Sequence, residues 1–238
     1  MTNHSENKSP RKTARIAGLW YLLAGLPAPF SLVYIPSKLI VPGDATATAN
    51  NILASETLFR IGIVGNLISQ IGFIFASLAL YQLLKSVNKN VAVLMVILNL
   101  ISIPIVMLNE LTQFGVLQLL SGAHYLTVFT ADQIHALALL FLDMRELGVS
   151  IAQIFWGLWL FPMGYLVFKS GFLPRIIGVL LMIGCVGYVL QSFTTFFFPN
   201  LEVSFVLLTS WGELFFTLWL LIRGVNVEQW EKRALAPA

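Results

Sequence analysis

Glu213 lies in the stretch SFVLLTSWGELFFTLWLLI, where every other side chain is apolar or an uncharged small hydroxyl. A carboxyl group in such company is costly to place in lipid. Where one persists, it faces a protein interior or a wet cavity and serves as a polar contact for chemistry or binding. Read as an inward-running helix, the segment puts Glu213 some ten residues from its start, roughly 15 Å deep and near the middle of a ~30 Å hydrocarbon layer. Asn66 and Gln70 are four apart and share one helical face in another apolar run. Glu110, with Asn109 and Gln113, falls late in a third run, and Gln153 and Gln191 come at a similar depth in two more. Arg60 and Arg145 belong near the mouth of such a cluster, Arg60 pairing with Glu56 or Glu110 and Arg145 with Asp143 or Glu146. Together these residues describe a pocket open to the outer face, holding a small apolar or amphipathic ligand through Glu213, Asn66, Gln70 and Glu110. The alternative is that the amides only bond helix to helix and that Glu110 is interfacial.

Other chemistries have weaker support. Asp132 and His135 share a helical face and His124 is near in sequence, but a metal site needs further ligands and orienting partners. Asp143 or Glu146 would serve only if the chain folded back, so these histidines read as exposed interfacial residues and no metal is expected. The three histidines, His4, His124 and His135, are not securely within an apolar run, which disfavours a buried bis-histidine haem. No lysine falls mid-span, and there is no H-E-x-x-H, G-x-S-x-G or P-loop sequence. No cofactor is expected. Trp156, Trp159 and Tyr165 line a pocket or anchor and pack an aromatic helix, and the sequence leaves both open.

The elements that must position these groups follow from composition. Of 238 residues, 58% are hydrophobic and 11% charged. A soluble domain carries roughly 25% charged residues, so this chain cannot cover a water-facing surface and lipid must solvate much of it. The predicted fold is all-α: a polytopic membrane bundle of about six transmembrane helices near 14–35, 58–84, 91–120, 149–168, 174–197 and 204–222. Residues 1–13 read as a disordered cytoplasmic tail, 14–223 as one transmembrane domain and 224–238 as a second cytoplasmic tail. Pro27, Pro29 and Pro36 are expected to kink or end the first helix early. ATANNILASE reads as a short interfacial helix. Residues 130–147, capped at Thr130, either lie in the interface or extend the fourth span.

Lysine and arginine counts orient the chain. With the N-terminus inside, the inner set is Lys8, Arg11, Lys12, Arg15, Lys85, Lys89, Lys169, Arg175, Arg223, Lys232 and Arg233, against Lys38, Arg60 and Arg145 outside. Both termini are therefore expected in the cytoplasm. The formal charge of +3 reflects this pattern and not a nucleic-acid surface. Cys185 is the single cysteine, so no internal disulfide can form. ARIAGLWYLLAG and PRIIGVLLMIGC open two spans alike, through an internal repeat or because one topology rule shaped both junctions.

GLWLFPMGYLVFKSGFLPRIIGVLLMIGCVGYVLQSF (157–193), RIAGLWYLLAG, LFRIGIVGNLI and LALYQLLKSVNKNVAVL resemble a bacterial domain-of-unknown-function family, number 4386, from about Arg15 to Gly224. GYLVFKSGFLPR is the most specific part. The resemblance implies a multi-pass protein of the bacterial inner membrane and carries no biochemical activity with it. Three functions stay open: binding or transport of a small apolar or lipid-like molecule, an intramembrane enzyme on a lipid-like substrate, and a structural or accessory subunit. The lipid bilayer is the one partner the sequence requires.

Overall fold

The computed structural model describes residues 9–198, 201 and 203–235. Residues 1–8 of the tail expected to be disordered over 1–13, and the last three residues of the C-terminal tail, lie outside the described residues, while 10–13 are helical, against that expectation. Among the described residues the structure is helical with no strand. Five helical segments are long and apolar enough to cross a membrane: Pro10–Leu39, Glu56–Leu84, Lys89–Leu119, Ala131–Ser170 and Arg175–Phe197.

The first segment is interrupted. Helix α1 (Pro10–Gly25) begins ahead of the expected Ala14, then gives way to one turn at α2 (Pro27–Pro29), a π-helical stretch over Phe30–Tyr34, and α3 (Ile35–Leu39). Pro27, Pro29 and Pro36 lack the N–H groups that an unbroken α-ladder would use, and the register slips to i→i+5, with the Ile35 N–H bonding the Phe30 carbonyl. The next bond of that register would come from position 36, which is proline. The π-register therefore offers the Ser31 carbonyl no N–H.

Helix α4 (Ala45–Ala54) forms where a short interfacial helix is expected, capped by Asp44, whose carboxylate accepts from the Ala47 N–H at 2.8 Å. Helices α5 (Glu56–Leu84) and α6 (Lys89–Leu119) follow. Between Ile61 and Leu78 of α5 the exposed side chains are all apolar and recur every three or four residues: Ile61, Val64, Ile68, Ile71, Phe75 and Leu78. The buried positions include Asn66, Ser69, Gln70 and Ser77. This inverts the pattern of a helix in water and gives lipid the outer face.

Helix α7 (Ala131–Ser170) decides the ambiguous segment, because 131–146 continues into the fourth apolar run as one helix. Its 40 residues extend roughly 60 Å, about twice the hydrocarbon thickness. Thr130 caps it as expected: the Thr130 hydroxyl accepts from the Gln133 N–H, and the Gln133 side chain accepts from the Thr130 N–H at 2.9 Å. Helix α8 (Arg175–Phe197) is the last long one. The expected span 204–222 is split at Ser210 into α9 (Phe205–Thr209) and α10 (Trp211–Ile222). Alone, α10 reaches roughly 18 Å, short of a full crossing. Helix α11 (Val227–Leu235) forms within the expected C-terminal tail; its Trp230 indole donates to the Leu83 carbonyl at 2.9 Å.

The chain divides into two compact units. The first comprises residues 1–22, 72–102 and 153–238, around a core of Leu80, Met95, Leu160, Met163, Leu181 and Phe216. Within it, α7 and α8 touch backbone to backbone: a Cβ at Gly164 would come 2.6 Å from the Gly178 carbonyl, and one at Gly157 2.9 Å from the Cys185 carbonyl. Small residues seven apart on both helices allow that approach, as they do where lipid provides no hydrophobic drive between helices. The second unit comprises 23–71 and 103–152, around Ile35, Ile52, Phe59, Ile63, Val116 and Leu142. Every described basic residue expected inside falls in the first unit, and Lys38, Arg60 and Arg145 fall in the second.

Candidate functional site

In the first unit Glu213 stands in the opening turn of α10, directly after the break. The break corrects the expectation that Glu213 lies some ten residues into one continuous helix. A carboxylate there faces the N-terminal end of the helix dipole, which favours negative charge. Two phenols donate to it: the Tyr21 hydroxyl from α1 at 2.5 Å on Oε2, and the Tyr188 hydroxyl from α8 at 2.9 Å on Oε1. Helix α10 is held against both neighbours by close contact. A Cβ at Gly212 would come 2.7 Å from the Leu180 backbone, and one at Gly18 2.9 Å from the Leu220 Cβ.

Aromatic rings surround the clasp. Tyr21 stacks on Trp159 at 5.7 Å between centroids and meets Phe73 and Phe216 edge-on at 5.8 and 6.2 Å. Tyr188 meets Trp156 edge-on at 6.4 Å. Among the described residues the ion pairs are Arg60–Glu56 and Lys232–Glu228, so no lysine or arginine neutralises Glu213. Gln153 and Gln191 belong to this unit too. The Gln153 Oε1 is buried without a hydrogen-bond partner among the described residues. The Gln191 Oε1 accepts from the Phe205 N–H at 2.9 Å and so fixes the start of α9.

The second unit contains a separate polar set. Glu110 is 1% exposed, and its two oxygens accept from the Asn66 and Gln113 side-chain amides. Gln70 is buried one turn along α5 from Asn66. Arg145, expected near the mouth beside Asp143 or Glu146, is 8% exposed and forms no ion pair with either. Its Nη2 donates at 3.3 Å to the Ser31 carbonyl, the acceptor that Pro36 leaves open, and its Nε has no partner among the described residues. Asn109 supports the same turn by donating to the Arg145 carbonyl at 2.9 Å. Ser69, on the same helix as Asn66, donates to the Ala24 carbonyl ahead of the proline-rich turn. Arg60 takes the local option, pairing with Glu56 at 2.7 Å four residues away on an exposed surface, so it does not join the Glu110 set. His135 meets the Thr46 hydroxyl at 3.2 Å.

The residues singled out from sequence therefore separate between the two units, and the hydrogen bonds join only Glu110 with Asn66 and Gln113 among them. Glu213, Gln153 and Gln191 are in one unit, while Asn66, Gln70, Glu110, Gln113 and Arg60 are in the other. Sequence reading missed Tyr21 and Tyr188 as partners of Glu213 and misassigned Arg145. A tyrosine in an apolar run signals the need for a hydrogen-bond partner, but nothing local names which one.

A protein of Archaeoglobus fulgidus described as uncharacterized is 30% identical over 169 residues, covering 70% of this chain and 86% of that one. No solved structure matches the chain. Residues 16–224 match the family described as "Domain of unknown function (DUF4386)", and that match takes in both carboxylates and the partners named here. With a long apolar helical frame and this extent of likeness, the chain belongs to the DUF4386 family.

Proposed function

We propose that this protein binds a small amphipathic molecule within a cell membrane and passes it across. In this reading the chain crosses the bilayer six times with both ends in the cytoplasm, the broken 204–222 segment being the sixth crossing. The observation that carries the reading is Glu213: a carboxylate at a helix break, clasped by Tyr21 and Tyr188, whose rings pack on further aromatic side chains, and with no cationic side chain paired to it among the described residues. Discontinuous helices with polar groups at the break are how many secondary transporters build a substrate site. A carboxylate among aromatic faces attracts a positive or donor group on an otherwise apolar molecule. The proline-broken stretch at 27–36, with Arg145 donating to the Ser31 carbonyl, gives the second unit an irregular segment of its own.

Native mass spectrometry of the detergent-purified protein tests this, comparing wild type with Glu213→Gln. A discrete small mass retained by wild type and lost from the variant is expected. An apo mass in both, with equal thermal stability, would leave the carboxylate as a packing group and favour a structural or accessory role. Release of a chemically altered molecule would move the reading to an intramembrane enzyme.

A further inference from the structure

At the end of the first unit where α1 begins and α10 finishes, two adjoining cavities share Pro174, Trp219 and Arg223. The larger, about 410 Å³, is a groove between α8 and α10 walled by Ile176, Ile177, Leu180, Phe215, Leu218 and Ile222. The smaller, about 290 Å³, is a recess lined by Arg11, Gly171, Arg223, Gly224 and Asn226. Gly224 takes a left-handed φ of +69°, which closes α10, and its N–H returns to the Trp219 carbonyl at 2.9 Å. A Cβ there would come 3.0 Å from the Arg11 Cγ, so the Arg11 stem lies against the end of α10, and Arg223 lines the same recess. Neither guanidinium forms an ion pair or donates a side-chain hydrogen bond among the described residues.

We propose that groove and recess together hold one anionic phospholipid, its phosphate between Arg11 and Arg223 and one acyl chain along the α8–α10 groove. Charge complementarity selects the headgroup, since two arginines and, among the described residues, no acidic one line the recess. The groove selects a chain, since its walls are aliphatic and aromatic up to the point where Arg223 begins the basic part. Basic pockets between helices at the cytoplasmic side recognise anionic headgroups in this way, and both arginines belong to the inner set expected from loop charge. The inference does not depend on Glu213 or on what it binds.

The test uses the delipidated full-length protein in detergent, titrated separately with phosphatidylglycerol, phosphatidylcholine and inorganic phosphate, and read by native mass spectrometry and thermal shift. Phosphatidylglycerol should bind more tightly than phosphatidylcholine. Arg11→Gln and Arg223→Gln should each weaken it about five-fold or more and abolish the headgroup preference. Leu218→Trp, which fills the groove and leaves both arginines, should weaken phosphatidylglycerol and phosphatidylcholine alike; it carries the test if an arginine variant does not fold. Equal binding of the two lipids, or arginine variants with an unchanged preference, would overturn the proposal. Full competition by phosphate alone would also overturn it, by reducing the site to a free-anion recess.

Discussion

The Arg145 guanidinium donates to the Ser31 carbonyl across 114 positions of sequence, at an acceptor that the π-register would have paired with the missing N–H of Pro36. A proline break in lipid needs a replacement donor, and here that donor is a charged one. Arg145 thus satisfies a main-chain carbonyl in the unit that also buries Glu110.

Two ionisable groups buried in one unit predict coupling. Arg145→Met should lower stability by about 1–3 kcal/mol, the cost of an unsatisfied buried group. Combining it with Glu110→Gln should cost less than the sum of the two single changes, because the double variant has no lone buried charge. Thermal unfolding of the four proteins in detergent gives the cycle, and strict additivity would show that the two charges do not sense each other.

Pro36→Ala restores an N–H opposite the Ser31 carbonyl. The same Arg145→Met change should therefore be milder in the Pro36→Ala protein than in wild type, by about 0.5–1.5 kcal/mol, the net contribution of one hydrogen bond. An equal loss in both backgrounds would mean that the carbonyl is not the contact that makes Arg145 stabilising.

Tyr21→Phe and Tyr188→Phe each take one donor from Glu213. Each should lower Tm in the wild-type background, at a cost of about 1–3 kcal/mol, and have little effect once Glu213 is replaced by Leu. Tyr21→Phe should also leave the tryptophan fluorescence maximum nearly unchanged, since the stack on Trp159 at 5.7 Å involves the ring and not the hydroxyl.

Helix packing makes a contrast between two glycines, Gly164 in the first unit and Gly25 in the second. Gly164→Ala drives a methyl into the Gly178 carbonyl at 2.6 Å, whereas Gly25→Ala meets nothing within 4 Å. The first should lower Tm clearly, in the 1–3 kcal/mol range of overpacking. The second should be neutral or gain up to about 1 kcal/mol from backbone entropy.

Orientation is open to labelling. In a Cys185→Ser background, Val128→Cys should react with an impermeant maleimide added outside intact cells, and Gln229→Cys only after the membrane is opened. Both positions are exposed, and the reverse pattern would invert the topology expected from the loop charges.

The helical class and the lipid solvent were legible in the sequence because they depend on local quantities. Apolar run length sets whether a segment partitions into lipid. The Thr130–Gln133 capping box announced the start of α7, and three prolines announced the interrupted first segment. What became of 131–146, the break at Ser210 and the partners of each carboxylate were not legible. Tyr21 meets Glu213 across 192 positions, and Asn66 meets Glu110 across 44. Depth counted along each helix placed polar residues at similar levels, yet similar depth does not make two side chains neighbours. That depends on which helix faces adjoin, and glycine contacts such as Gly164–Gly178 and Gly212–Leu180 set this through shape. The sequence by itself determined that polar side chains must turn inward from lipid, because leaving them in hydrocarbon is too costly. Only the tertiary structure decided which of them meet, because a hydrogen bond forms within about 3 Å and helix packing alone brings distant residues that close.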